Sequence, residues 1–599
     1  MTVLDKVNDP KDIKNLTALE LEELATNVRD AILNRVSQYP GGHLGPNLGV
    51  VEMTVALHKV FNSPVDKLIW DVSHQSYPHK VLTGRKEFFT DKDKFSGTIG
   101  FTDPEEIEHD FIRVGHTSTS IATAMGYALA RDMQGKKENI VAIIGDGALS
   151  GGLAFEGLDG AGTLNGNLII IVNDNEMAIT ENHGGIYQHL ADLRASKGTS
   201  ANNLFKSFGL DYRYLEEGND IQSLVTLFES VKDINRPIVL HIHTEKGHGY
   251  KPAVENKEGM HQVFAPFDIA TGQPVNSSTN IVRSYNNIFL DFMEEKLAKG
   301  DNLIAINAAI PMFFGLSQFA KNHPKNYVDG GIAEQYTVTL GGAIAAAGTR
   351  AIIFQNATFL QRAYDQLNHD LALNKEPAIV IISNSQIGGT NDTHQGSFVY
   401  SQTSNIPNVI DLAATSEEDL FAMLNWAYNQ HEHPVFIHLP EHTLENRPTK
   451  ITDFSKPQYE VVKSGEKVVI LGLGAMLEKA ENVAEELEKL GFNPTVVNPF
   501  FANLLDVAAL DKLSETHGLF VTIEDGTKDG GFGQKVATYL ASKGIKTLVF
   551  GADTEFIDAV PKEELYNRYH IRPELMANDI IEATKESKGP NFFKKIFSK

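Results

Sequence analysis

The chain has 599 residues, 42% hydrophobic and 22% charged, the profile of an ordinary globular protein long enough for several domains. It contains no cysteine, which excludes disulfides, thiolate metal sites and a cysteine nucleophile, and its formal net charge of -24 argues against a nucleic-acid backbone or an anionic membrane as partner. No apolar run approaches the length of a spanning helix and the opening residues MTVLDKVNDPKD are polar and acidic, so the cytoplasm is the expected compartment. The first helix is announced by Thr17 and Glu20, a capping box, followed by Leu21, Leu24, Val28, Ala31 and Ile32 at helical spacing. A glycine-rich loop follows, Gly41-Gly42-His43-Leu44-Gly45-Pro46-Asn47-Leu48-Gly49, built for close approach to a ligand, and then a helical pattern over Val51 to Val60. An apolar run ends in WDVSHQSYPHK, with Trp70, Asp71, His74 and His79, and a strand-like segment leads into Val114-Gly115-His116-Thr117-Ser118-Thr119-Ser120. Histidines repeated in loops after apolar segments point to catalytic rather than structural imidazoles.

The apolar run Ile140 to Ile144 predicts a buried strand, ending in the turn Gly145-Asp146-Gly147, after which Ala148 and other small residues open a helical stretch. A second run, Leu168 to Val172, ends in Asn173-Asp174-Asn175-Glu176-Met177. Two buried parallel strands ending side by side would offer hard oxygen ligands at the edge where open α/β sheets bind ligands. Asp146 and Asn175 suit Mg²⁺ or Ca²⁺, and the glycines let a diphosphate approach the backbone.

Another buried strand, Ile238 to Ile242, leads into Thr244-Glu245-Lys246-Gly247-His248-Gly249-Tyr250 and a loop carrying His261. The small polar stretch 270–280, ATGQPVNSSTN, reads as a linker, after which the pattern restarts and reaches GGIAEQYTVTLGGAIAAAG. A third unit begins near Lys467 with VVILGLG as strand and turn and Leu477 to Leu490 as an amphipathic helix. Gly472 and Gly474 do not complete a dinucleotide fingerprint, because Leu477 stands where the third glycine belongs, and they are read as structural. The alternation of strands and helices predicts three doubly wound α/β domains with mostly parallel sheets, spanning 1–270, 281–445 and 460–588.

The GDG turn followed by NDNEM resembles the thiamine-diphosphate motif. That resemblance implies that Asp146, Asn175 and the carbonyl of Met177 hold Mg²⁺ on the cofactor's diphosphate, with Gly145, Gly147 and Ala148 beside it. Such chemistry also needs a carboxylate against the aminopyrimidine ring to drive deprotonation of the thiazolium carbon, and Glu334 in Gly331-Ile332-Ala333-Glu334-Gln335 offers one. Taken in order, GGHLGPNLGVVE, WDVSHQSYPHK, GHTSTS, GDGALSGG, NDNEM, KGHGYKP, GIAEQ, TFLQRAYDQ and THQG make the chain similar to the 1-deoxy-D-xylulose-5-phosphate synthase family, within the transketolase-like thiamine-diphosphate enzymes. Members join pyruvate, with loss of CO₂, to glyceraldehyde 3-phosphate, and are homodimers with the active site between the first two domains of one subunit. Carried over by position, the resemblance implies catalytic roles for His43, Glu334, His261, His394 and Arg362. It implies cofactor contacts for His74, Gly115, His116 and Thr117, and sets Phe359 against the pyrimidine ring. Arg362 would contact the pyruvate-derived or acceptor anion and His394 would line the acceptor pocket.

The chain departs from the family on the acceptor side. Where the family reads close to DRAG-(I/L)-VGADGxTHQG, this chain has Ser383-Asn384-Ser385-Gln386-Ile387-Gly388-Gly389-Thr390-Asn391-Asp392 before THQG, so an Arg becomes Asn384. Where the family reads RYPRG, it has His438-Leu439-Pro440-Glu441-His442, so a second Arg becomes Glu441. Those arginines are the family's grip on the acceptor phosphate. The family's YSTF becomes Asn356-Ala357-Thr358-Phe359, its EQH becomes Glu334-Gln335-Tyr336, and the region after NDNEM is shorter. Three functions remain open on sequence: the synthase-like transfer, with pyruvate or a similar 2-oxo acid as donor and an aldehyde as acceptor; a transketolase-type enzyme with a ketose donor; and a cofactor-binding protein without turnover.

Overall fold

The computed structural model describes residues 2–39, 41–179, 182–275, 285–440, 446–557 and 560–586. The chain divides into two compact units, Met1–Ile281 with Gly331–Ala333, and Val282–Gly330 with Glu334–Lys599. The first unit is built on five parallel strands, β1 (Lys67–Trp70), β2 (Ile140–Gly145), β3 (Leu168–Asp174), β4 (Asp211–Leu215) and β5 (Pro237–His243), in the order β1-β2-β3-β5-β4. The near-continuous apolar runs of β2 and β3 reflect burial on both faces. Alternate side chains divide between two cores: Ile140, Ala142, Ile144, Ile170 and Val172 on one side, and Val141, Ile143, Ile169, Ile171 and Leu240 on the other. Helices Ser120–Met133 and Gly152–Ala161 cover the first face, Val51–Val60 and Ile221–Glu229 the second. Helix Ala18–Gln38 starts on the expected capping box, with the Thr17 side chain accepting from the Glu20 N–H and the Glu20 carboxylate from the Thr17 N–H.

Not every histidine of the sequence pattern goes to a ligand edge. His79 is fully buried, its Nδ1 2.9 Å from His58 Nε2 and its Nε2 3.1 Å from Asp110 Oδ1, while Arg85 forks onto both Asp110 oxygens at 2.7 and 2.9 Å. That network ties the segment after β1 to the loop at Asp110, a structural task. The start of the expected linker is also ordered: Asp268 N–H donates to the Gln273 carbonyl and Val275 N–H to that of Pro266, closing a turn, whereas 276–280 lie outside the described residues.

The second unit carries two large sheets and a two-stranded antiparallel one, Gly389–Asn391 with His394–Gln395. Six parallel strands, β6 (Leu303–Asn307), β7 (Tyr327–Asp329), β8 (Arg350–Asn356), β9 (Ile379–Ser383), β10 (Ile410–Ala413) and β11 (Val435–His438), run in the order β10-β11-β9-β8-β6-β7. A further sheet orders β12 (Glu460–Lys463), β13 (Lys467–Gly472), β14 (Thr495–Asn498), β15 (His517–Thr527) and β16 (Lys546–Ala552) as β12-β14-β13-β15-β16, with only β12 antiparallel. This sheet therefore begins before Lys467, on an edge strand too short and polar to be read as one. Helix Met476–Lys489 stands where amphipathic spacing set it, and Gly474, at φ +56°, makes the turn before it. A single apolar cluster joins Ile353, Val380 and Ile382 to Val469, Leu471 and Phe520, so both sheets share one core and count as one unit.

Candidate active site

Register sets the first part of the site. Gly145 of β2 pairs with Asn173 of β3, so the GDG turn and the NDNEM segment leave the sheet side by side. Asp146 is 2% exposed, and its Oδ2 accepts from the Asn182 amide at 2.8 Å. Burial, with the Asp174 carboxylate nearby, pushes its pKa up to about 8. Burial would raise Asp174 as well, but a 2.7 Å hydrogen bond with His241 Nε2 and the charge of Arg194 at 2.5 Å outweigh it and hold that carboxyl below its ordinary value. Asp146 is therefore the carboxylate of this edge that lacks a compensating cation pressed against it. Lys246 is the cation that acts on it: burial brings its pKa down to about 8, the Asp146 charge opposes that fall, and its Nζ donates to the Ala178 carbonyl at 2.8 Å.

Glu176, at φ +66°, turns the chain after β3 while its N–H donates to Asp174 Oδ1, and Met177 N–H donates to Asn175 Oδ1 at 3.2 Å. Among the described residues no three His, Asp or Glu side chains converge as a metal cluster. One carboxylate with amide and carbonyl oxygens suits a hard cation that draws its other ligands from a diphosphate. A Cβ at Gly145 would meet nothing within 4 Å although the residue is half-buried, so there is room for a ligand against the backbone. On these grounds the edge fits a metal-bound diphosphate.

The histidine loops of the first unit gather three imidazoles. His43 lies on a two-residue strand paired with Gln262–Val263, next to His261, and its ring is 5.1 Å from His74 and 5.5 Å from His261, with His74 and His261 5.3 Å apart. Asn47, wholly buried, donates to the carbonyls of both His43 and His74 at 2.8 Å and accepts from Tyr77 N–H, which locks two loops together. Burial, reinforced by Lys246, lowers His43 to about 4, and burial with Lys246, His74 and His43 holds His261 well below its ordinary value. Both are neutral at physiological pH, and each has a buried Nδ1 without a hydrogen bond. Packing of Gly45 is tight enough that a Cβ would meet the Gly259 carbonyl at 1.8 Å.

Asp71 organises the remaining loops. Its Oδ1 and Oδ2 accept from the N–H groups of Ser118 and Ser120 at 2.7 and 2.9 Å, fixing the turn that carries buried Gly115 and half-buried His116 and Thr117. Ser118 Oγ donates to the Ala148 carbonyl at 2.7 Å, joining that turn to the GDG helix. Val72 and Ser73 both take left-handed backbone, at φ +56° and +67°, immediately before His74. For a β-branched residue this conformation is strained, and strain of this kind is held only where surrounding contacts fix it.

In the second unit Glu334 opens helix Glu334–Ala346, is 4% exposed, and lies 3.5 Å from Arg362 Nη1 through Oε2. Burial raises its pKa, and the Arg362 charge opposes the rise. Arg362, expected at an anion, is thus paired with the carboxylate itself. Phe359 and His394 meet edge to face at 5.6 Å. The Thr393 hydroxyl donates to Asn391 Oδ1 at 2.6 Å and lies 2.8 Å from His394 Nδ1, which ties the ring to the turn before it. Asn384 takes left-handed backbone at φ +57°, and its carbonyl packs so closely on Gly396 that a Cβ there would stand 1.7 Å away. Glu441 lies outside the described residues. Sequence reasoning gave no role to Lys246, Asn47 or Asp71; Lys246 was visible only as part of TEKGHGY, and the other two act through backbone groups, which leave no pattern in sequence.

Comparison with known proteins gives these arrangements a family. Residues 4–202 match the family model described as 1-deoxy-D-xylulose-5-phosphate synthase, 283–446 the transketolase pyrimidine binding domain, and 458–576 the transketolase C-terminal domain. The chain is 36% identical to the 1-deoxy-D-xylulose-5-phosphate synthase of Syntrophomonas wolfei over 96% of both chains. It is 36% identical to that of Pelotomaculum thermopropionicum over 100% of this chain and 99% of the relative, and 36% identical to that of Natranaerobius thermophilus over 97% and 98%. With sheets, motifs and relatives in agreement over nearly its whole length, the chain belongs to the 1-deoxy-D-xylulose-5-phosphate synthase family of thiamine-diphosphate-dependent transferases.

Proposed function

We propose that the enzyme decarboxylates pyruvate or a similar 2-oxo acid and passes the two-carbon unit to an aldehyde that carries no phosphate. The observation that carries the catalytic half is the set of three half-buried imidazoles, His43, His74 and His261, gathered in a loop cluster of the same unit as Asp146. When bound, thiamine diphosphate supplies an electron sink for the pair left behind as CO₂ departs. Asp146, Asn175 and the Met177 carbonyl would hold Mg²⁺, and Lys246 adds a positive charge for the diphosphate. Glu334, its pKa raised by burial, exchanges a proton with a ring nitrogen through a carboxylate oxygen. His43 and His261, kept neutral, take up a proton at a ring nitrogen as substrate oxygens change charge. His394 presents Nε2 to the acceptor.

A homodimer is part of this reading. Helix Ser120–Met133 turns Leu129, 50% exposed, and Met133, 89% exposed, outward on one face, and Tyr336 is 53% exposed on helix Glu334–Ala346. Apolar faces of this kind suit a second copy of the chain.

The acceptor assignment rests on Asn384 and Glu441. Charge-assisted hydrogen bonds to phosphate contribute about 1.5–3 kcal/mol apiece, so losing two cations implies roughly two to four orders of magnitude in specificity for a phosphorylated aldehyde. Following CO₂ release from pyruvate with a panel of aldehydes, phosphorylated and not, is expected to show glyceraldehyde 3-phosphate as a poor acceptor, improved by Asn384→Arg with Glu441→Arg. A wild-type kcat/KM for the phosphorylated aldehyde on the order of 10⁴ M⁻¹s⁻¹ or above would sink this assignment. A ketose donor in place of pyruvate would release no CO₂ and is distinguished by the same assay.

A further inference from the structure

In the sheet of β12–β16, β13 leads to β14 on one side, while β15 leads to β16 on the other. The crevice between the carboxyl ends of β13 and β15 is therefore a topological switch point, where open α/β sheets take a ligand. Here a loop of the same unit fills it. Ile387, 1% exposed, packs with Ile470, Met476, Ile523 and Leu565, and its N–H donates to Asp525 Oδ1 at 2.8 Å. The next contact comes from Lys562, whose Nζ donates to Gln386 Oε1 at 3.0 Å and lies 3.7 Å from Asp525 Oδ2. The returning limb is held too: Gln395 Nε2 donates to the Ile557 carbonyl at 2.6 Å and Thr527 N–H to the Ser397 carbonyl at 2.9 Å.

His394 stands between these anchors. Neighbouring residues of a strand point to opposite faces, so Gln395, turned to Ile557, directs His394 to the other side, where its ring meets Phe359. Asp525 is 2% exposed and its Oδ2 makes no hydrogen bond, so the charges of Lys562, 3.7 Å away, and of Lys479 offset a buried carboxylate. Packing of the sheet alone has no use for such a charge. Among the described residues, the hydrogen bond to Oδ1 and the ion pair at Oδ2 both involve groups that grip the loop.

We propose that Asp525, with Lys562, is a positioning residue that fixes the 384–397 loop and through it the orientation of His394 for the acceptor half of the reaction. The proposal rests on the reading of His394 as part of the acceptor pocket. Asp525→Ala removes the charge and the acceptor for Ile387 N–H, whereas Asp525→Asn keeps an acceptor oxygen. In full-length, cofactor-loaded enzyme, the loss of one charge-assisted bond is expected to raise the aldehyde KM about tenfold or more in Asp525→Ala, with most of it restored in Asp525→Asn. Cofactor affinity and pyruvate KM should stay near wild type. Hydrogen exchange of the 386–397 amides, read by mass spectrometry, should rise in Asp525→Ala whatever acceptor the enzyme uses. Unchanged exchange overturns the positioning role. Raised exchange with pyruvate and aldehyde KM moving together overturns the link to the acceptor half. If wild-type enzyme transfers to no aldehyde tested, the pocket reading fails while the exchange result still decides the positioning. Should Asp525→Ala not fold, Lys562→Met, at a partly exposed position, reads the same contact by the same two measurements.

Discussion

Asp146→Ala is expected to lose cofactor binding, not merely turnover. The residue is buried at the end of β2, and of the three oxygens proposed to hold the cation it alone brings a full negative charge. Asn175 and the Met177 carbonyl contribute dipoles only, and Asp174 is already committed to His241 and Arg194. Removing one partner of a buried charge pair typically costs about 3–5 kcal/mol, so affinity for thiamine diphosphate with Mg²⁺ should fall on the order of a thousandfold. Calorimetric titration checks this directly, and wild-type affinity in the variant would show that the cation is held elsewhere.

Glu334→Ala should separate binding from activation. Its carboxyl is buried, with Arg362 at 3.5 Å, and burial raises its pKa against the opposing charge of Arg362, which favours a carboxyl that can give up and take back a proton. Acid–base groups of this kind contribute roughly 10²–10⁴-fold to rate, so kcat should drop by that range while cofactor still binds, more weakly. Exchange of the thiazolium C2 proton, followed by NMR on the loaded protein, should slow in parallel. Exchange at the wild-type rate would return Glu334 to a structural partner of Arg362.

The sheet edge was legible because buried strands announce themselves as unbroken apolar runs, and IVAII and LIIIV both end in polar residues that have no business in a core. Register then did what strand pairing must, bringing Gly145 beside Asn173. Histidines were harder: His43, His74 and His261 gather, but His79, drawn from the same motif as His74, turns into the Asp110 network. Nothing in a local pattern separates the two, since the difference is which element packs above the side chain. The shared core of β8 and β13 was invisible for a related reason, because linker composition marks where a chain changes sheet, not where an apolar cluster stops. Least legible was the grip of Lys562 on Gln386, between residues 176 apart in sequence. Long-range polar pairs carry no periodicity.

On the proposed assignment of Asp146 to the metal, the environment that pushes its pKa up to about 8 makes metal loading a proton-exchange reaction. An acid whose folded pKa is raised keeps its proton below that value, so in the cation-free protein at pH 7 the incoming metal must expel one. Apparent affinity should therefore decline as pH falls below about 8, approaching tenfold per unit, and change little above it. Calorimetry in two buffers of different ionisation heat should give different enthalpies at pH 7 and converging ones at higher pH. On that assignment, acidification works against assembly of the holoenzyme itself.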